Sequence, residues 1–217
     1  EAAIEAQCAV IGNVGFLGIP MLVLLLGQAA IGPVMMVLAV DLIVFSSLVV
    51  ILITGSRDGR MSFGVLRTVG LGLLKNPMLV SISLGLLVSS MAVPIPVPVN
   101  EFLEILGGAA TPGALFAIGA SLASKSAERM VIAGWLSFCK LIVHPAAVAV
   151  AALMVFDVNP YAAGVMITAA ALPVAGNVYI LAQHYGVAPA RVSATILLST
   201  GLSVLTISAV IAWVTSL

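Results

Sequence analysis

Charge is what this sequence has least of. Of its 217 residues only 7% are Asp, Glu, Lys or Arg, against about 25% in an ordinary soluble domain, whose surface must be wetted. That scarcity excludes a soluble enzyme, a nucleic-acid binder and a disordered tail together. Eight basic and eight acidic residues balance, so no polyelectrolyte partner is implied. Cysteine is equally sparse. Cys8 and Cys139 both sit in apolar runs, which argues against a disulfide framework. The Gly-x-Ser-x-Gly elbow, the phosphate-binding glycine loop and metal-ligand His/Cys spacings are absent, so no metal or organic cofactor is expected. An initiator Met and a signal-peptide pattern are missing too. The chain opens at Glu1 with helix-like sequence under way, which reads as a fragment or as a mature chain that has lost its beginning.

What is there is apolar sequence, 62% of the chain, and its solvent is the bilayer. A crossing needs roughly 20 mostly apolar residues, and the punctuation divides the chain into seven. The first two spans are Ala3 to Gly27 and Ile31 to Thr54, followed by the polar turn Gly55 to Arg60. Met61 to Leu74, carrying Arg67 and closed by Lys75, reads as an interfacial helix. Asn76-Pro77 is an N-cap followed by a first-turn proline and opens the third span, to Ala92. Three prolines between Val93 and Asn100 stop a helix there. The remaining spans are Glu101 to Ala123, Val131 to Phe156, Tyr161 to Tyr185 and Val192 to Leu217. The expected class is therefore an all-α polytopic membrane protein.

Orientation follows from the loop cations. Arg57, Arg60, Arg67 and Lys75 lie between spans two and three, Lys125 and Arg129 between four and five, and Arg191 between six and seven. The alternate connections carry none. All seven loop cations thus fall on one side, the expected cytoplasmic side, which puts the N-terminus inside and the C-terminus outside an inner (plasma) membrane.

Two spans are poor helices. The first contains Gly12-Asn13-Val14-Gly15-Phe16-Leu17-Gly18-Ile19-Pro20, and the sixth contains Leu172-Pro173-Val174-Ala175-Gly176-Asn177. Both interruptions fall near mid-membrane, in spans that run in opposite directions. Such a pair marks a transporter built from inverted repeats. Each break exposes backbone N–H groups at the positive start of a half-helix, and non-helical backbone at that depth must line a cavity or be buried in protein. The half-helices after Pro20 and Pro173 would converge on a small carboxylate, with Asn13, Gly15, Gly18, Gly176 and Asn177 around it. The plainer alternative is that the glycines permit close packing and the prolines only kink.

Asp41 and Lys140 also lie near mid-membrane, where ionisable groups usually serve function. His144 stands one turn from Lys140 and is followed by Pro145. Asp41, Lys140 and His144 are candidates for ion coupling. Lys140 as a structural cation on helix-end carbonyls is an equal reading, and His144 as a hydrogen-bonded interior residue is another. Two rival functions use the same residues: a seven-helix receptor with a Schiff base on Lys140, and an intramembrane hydrolase built from Asp41, Lys140 and His144.

The string GNVGFLGIP at Gly12 to Pro20 resembles the broken fourth helix of the auxin efflux carrier family of bacterial permeases, related to plant PIN carriers. KNP at Lys75 to Pro77, TPGALFAIGASLA at Thr111 to Ala123, KLIVHP at Lys140 to Pro145 and LPVAGNVYILAQHYGV at Leu172 to Val187 follow in the family's order. The resemblance implies ten transmembrane helices in two inverted five-helix repeats, of which this chain would supply helices four to ten. Residues 1–54 would then end the first repeat, 55–75 form a cytoplasmic loop and interfacial helix, and 76–217 make the second repeat. It also implies an elevator-like carrier that binds an organic anion at the helix crossover. Asn13 matches the crossover asparagine of the family, and Pro20 and Pro173 match its helix-breaking prolines. Bacterial members include malate and malonate permeases, so the implied substrate is a small mono- or dicarboxylate. The coupling ion, H+ or Na+, stays open. The other expected partners are the lipid bilayer and a second copy through the scaffold helices.

Overall fold

The computed structural model describes residues 1–58, 67, 70, 71, 74, 77–123 and 130–216. Regular structure among these residues is helical throughout, with one isolated antiparallel bridge. Three helical stretches are long and apolar enough to cross a membrane: Gln28–Ile53, Met130–Val155 and Pro189–Val214. Packing divides the chain into two compact units, one of residues 1–38 and 113–217, the other of residues 39–112.

The first unit opens with α1 (Ala2–Val10), three non-helical residues, a π turn (Val14–Gly18) and α2 (Ile19–Leu26). The first break is therefore shorter than the sequence predicts and lies earlier. It occupies residues 11–13, and the second half-helix starts at Val14 rather than after Pro20. Pro20 is the seventh residue of the second half, past the first turn whose N–H groups are free in any helix. The wide π turn ahead of it relieves the clash between the ring and the preceding carbonyls.

The stretch Met130–Val155 joins α7 (Met130–Phe138), a π turn (Cys139–Val143), α8 (His144–Val150) and a final π turn (Ala151–Val155). Here too a π turn precedes a proline, Pro145. The sixth span is α9 (Pro160–Ala170) and α10 (Gly176–Tyr185), separated by the second break. Asn159 caps α9 by accepting from the Tyr161 N–H at 3.0 Å, as an N-cap before a first-turn proline should. Gly186, with φ of +64°, ends α10 in the left-handed conformation. The last helix, α11 (Pro189–Val214), starts three residues before the predicted span.

Ala152, Ala163 and Ile167 form the centre of a core that Val148, Leu153, Val210 and Val214 complete. Small residues let these helices approach closely: a Cβ on Gly164 would stand 3.3 Å from that of Val214. Outward, Val131, Met154, Val204 and Leu205 are exposed. Bare apolar surface of that kind suits lipid and not water.

The second unit holds the π turn Asp41–Phe45, α4 (Ser46–Asp58) and α5 (Pro77–Ser90). α3 (Ile31–Val40) leads into it, and α6 (Val97–Ala123) leads back out. α6 begins at Val97, four residues ahead of the predicted start at Glu101. Pro98 lies in its first turn, where proline is tolerated, and the carbonyl of Pro96 accepts from the N–H groups of Val99 and Asn100. The predicted interfacial helix, apart from four of its residues, lies outside the described residues. So do Asn76, Arg60, Lys75, Lys125 and Arg129.

Candidate functional site

The two breaks meet. Residues Gly12 and Val174 pair as an antiparallel bridge, in which the Asn13 N–H donates to Pro173 O at 2.8 Å and the Ala175 N–H to Ile11 O at 3.2 Å. Backbone that has left the helix is thus satisfied by backbone from the other break, as an apolar surround requires. The two spans run antiparallel, since their ends also touch. Tyr161 at the start of α9 donates its hydroxyl to Leu26 O at the end of α2, at 2.8 Å.

Four half-helix ends gather at this crossing. α1 and α9 end there, and the half-helices Val14–Leu26 and Gly176–Tyr185 begin there. The carbonyl of Asn13 accepts from the Leu17 and Gly18 N–H groups at 3.1 and 2.9 Å, closing the first turn of the Val14 half-helix. Asn13 itself is buried, 6% exposed. At the other start Gly176 is exposed, with no atom within 4 Å of where a Cβ would stand. Its neighbour Asn177 has a buried Oδ1 that takes no hydrogen bond from the described residues. That oxygen can accept from an O–H or N–H of a ligand, and the amide's NH2 is the group that can donate to one.

Lys140 is brought to the same place. It is fully buried, and its Nζ donates to Ala170 O, the last carbonyl of α9, at 2.5 Å. A cation at a helix C-terminus is the favourable placement. His144 Nδ1 is 3.1 Å from Lys140 Nζ and 3.3 Å from Ala170 O. The pairing in which Lys140 donates to Nδ1 leaves the ring proton on Nε2. Of the two readings of Lys140, the geometry gives the cation on helix-end carbonyls directly.

The other candidates fall differently. Gly18 is buried under Leu172, whose Cδ1 would stand 2.6 Å from a Cβ on that glycine. Gly15 is half-buried, two residues from Asn13. Pro173 lies in the crossing, whereas Pro20 is six residues past the first helical residue after the break. Asp41 is buried at the start of a π turn in the second unit.

Several residues that shape the crossing carry no signal in the motifs. Ser199 of α11 accepts from the Val174 N–H at 3.2 Å. Its register was readable, because Thr195, Ser199 and Ser203 repeat every four residues in an apolar span, and all three are buried. Gln7, one turn before the first break, is buried with no hydrogen bond to its amide among the described residues. Arg191 is not a loop cation. It lies buried in the first turn of α11, paired with Glu5 and, at 3.5 Å, with Glu1. Two carboxylates on one face of α1 make that burial tolerable.

Residues 1–211 match the family model described as "Membrane transport protein". Over 213 residues the chain is 29% identical to a protein of Rhizobium meliloti (strain 1021) named "Putative malonate transporter". The alignment covers 96% of this chain and 66% of that relative, so the chain spans just under two thirds of the relative's length.

Proposed function

We propose, from the premise that this chain belongs to the membrane transport protein family, the auxin efflux carrier permeases, that it carries a small organic anion held at the crossing of the two broken spans. It is a transport protein and not an enzyme, which retires both the hydrolase and the receptor readings of Lys140. One observation carries the choice of an anion. The half-helices Val14–Leu26 and Gly176–Tyr185 both begin at the crossing, so their unpaired N–H groups and positive dipole ends converge. One of the two opposing negative ends, that of α9, is neutralised by Lys140. A carboxylate suits what remains, with Asn13 and Asn177 adding amide donors.

The name of the relative directs the choice of acid to malonate, and we take a short mono- or dicarboxylate such as malonate or malate as the substrate. The whole crossing belongs to one compact unit, which suits an elevator-like carrier whose site travels with a single body. The same reading sets the protein in the plasma membrane with the start of the chain cytoplasmic, assembled as a homodimer through scaffold helices, with H+ or Na+ as coupling ion. The test is uptake of labelled malonate, malate and monocarboxylates by full-length protein in proteoliposomes under imposed H+ or Na+ gradients. Saturable uptake of at least one acid is expected. Asn13→Leu should lose anion binding and keep its fold, and unchanged affinity in that variant would remove the crossing as the site.

A further inference from the structure

We propose that Lys140 and Ser199 are positioning residues that hold the second break open, each replacing one half of a single backbone hydrogen bond that the break pulls apart. For its effect on transport the proposal rests on the carboxylate site argued above; the brace itself does not depend on it.

In an unbroken helix the N–H of residue 174 would donate to the carbonyl of residue 170. Pro173 has no N–H to continue the ladder, and the preceding carbonyl, Ala169 O, is taken instead by the Leu172 N–H at 3.3 Å. The next pair is separated and each half finds a side chain. Ala170 O accepts from Lys140 Nζ at 2.5 Å, and the Val174 N–H donates to Ser199 Oγ at 3.2 Å. The hydroxyl is used twice, since Ser199 Oγ also donates to Ile196 O at 3.2 Å.

The bridge shows why such partners are needed. Of the extended residues 173–175, Pro173 O and the Ala175 N–H face the other break and are paired there. The Val174 N–H points to the opposite edge, where an open sheet would rely on water or a further strand. At mid-membrane neither is at hand, and Ser199 supplies the acceptor. Lys140 and Ser199 are both fully buried, so they act through the backbone rather than on the solute. They come from the two helices that flank the break, and between them they set where Gly176 and Asn177 stand.

The experiment uses full-length protein in lipid with Ser199→Thr, Ser199→Ala and Ser199→Val. Two quantities are measured: hydrogen exchange over residues 171–178 without substrate, and KM and Vmax for malonate and malate. Thr keeps the hydroxyl and should behave as the wild type. Ala and Val should speed exchange of the Val174 amide about tenfold or more and raise KM about fivefold or more, with Vmax and melting temperature little changed. Unchanged exchange in Ala and Val overturns the brace whether or not either acid is transported. Faster exchange with unchanged KM overturns the positioning role, as does a fall in Vmax alone that Thr fails to rescue. A wild type that transports neither acid removes the carboxylate reading, and exchange then decides the brace by itself. Lys140→Met is the companion variant; the Ser199 series decides the matter even where Lys140→Met does not fold.

Discussion

Gly12 and Gly18 share one motif and both face Leu172, yet they meet it differently. A Cβ on Gly12 would stand 3.3 Å from both Ala169 O and Lys140 Nζ, and 3.4 Å from Leu172 Cβ. Backbone and a fixed cation give little, so Gly12→Ala should cost about 1–3 kcal/mol by thermal unfolding in detergent, and should weaken substrate binding as well. Gly18→Ala clashes with the tip of Leu172, its other neighbours, Val14 Cγ1 and Asn13 O, standing at 3.4 and 3.6 Å. Combining it with Leu172→Ala removes that clash, so the double variant should be more stable than the sum of the single losses predicts. Strict additivity would show that Gly18→Ala costs stability for a reason other than this contact. Asn13 is a different case. Its backbone closes the first turn, whereas its amide is what a carboxylate would meet, so Asn13→Leu is expected to separate binding from folding.

At the scale of elements, two π turns of the first unit are tied to prolines. Two of the helix prolines are preceded by a π turn, Val14–Gly18 before Pro20 and Cys139–Val143 before Pro145, whereas Pro33 and Pro112 are not. The second of these turns carries Lys140, so the turn that accommodates Pro145 also lies where the cation reaches the end of α9. α1 is tied to α11 by Arg191, and its two carboxylate partners differ in environment: the side chain of Glu5 is 29% exposed and that of Glu1 67%. Glu5→Gln should therefore destabilise the unit by about 1–2 kcal/mol, since a buried guanidinium loses its nearer charge. Glu1→Gln should change stability by less than about 0.5 kcal/mol. Thermal melts of the two variants in one detergent provide the comparison, and equal losses would contradict the pairing.

For the whole molecule, the telling feature is which residues share a compact unit. Residues 1–38 and 113–217 pack together although they are distant in sequence, and both breaks, Lys140 and Ser199 lie within them. The ion pair of Glu1 and Glu5 with Arg191 puts the start of the chain and the connection before α11 at one end of this unit. The Tyr161 to Leu26 hydrogen bond marks the opposite end. A chain with an odd number of crossings has its termini on opposite sides. In a background with Cys8 and Cys139 replaced by Ala, Ala2→Cys should react with an impermeant thiol reagent from the cytoplasmic side only. Ser216→Cys should react from outside only, and labelling of both from one side would refute the seven-span count.

Much of this was legible beforehand because membrane sequences are governed by strong local rules. Sparse charge dictated the solvent, and Gly, Asn and Pro within two apolar runs marked where helices had to fail. Asn159 before Pro160 and the left-handed Gly186 delimit their helices for equally local reasons. Local rules could not set the exact start of a half-helix, because Pro20 is compatible with a first turn as well as with a break. They could not assign Lys140, whose role depends on a carbonyl thirty residues away. They also missed Ser199, since a hydroxyl in an apolar span reads the same whether it bonds its own helix or a neighbour. The sequence by itself determined that this is a membrane-embedded helical protein with two weak points in its spans. Only the tertiary structure decided that the weak points pair with each other and which side chains complete them. The physical reason is that the partner of a broken backbone hydrogen bond is chosen by proximity in space.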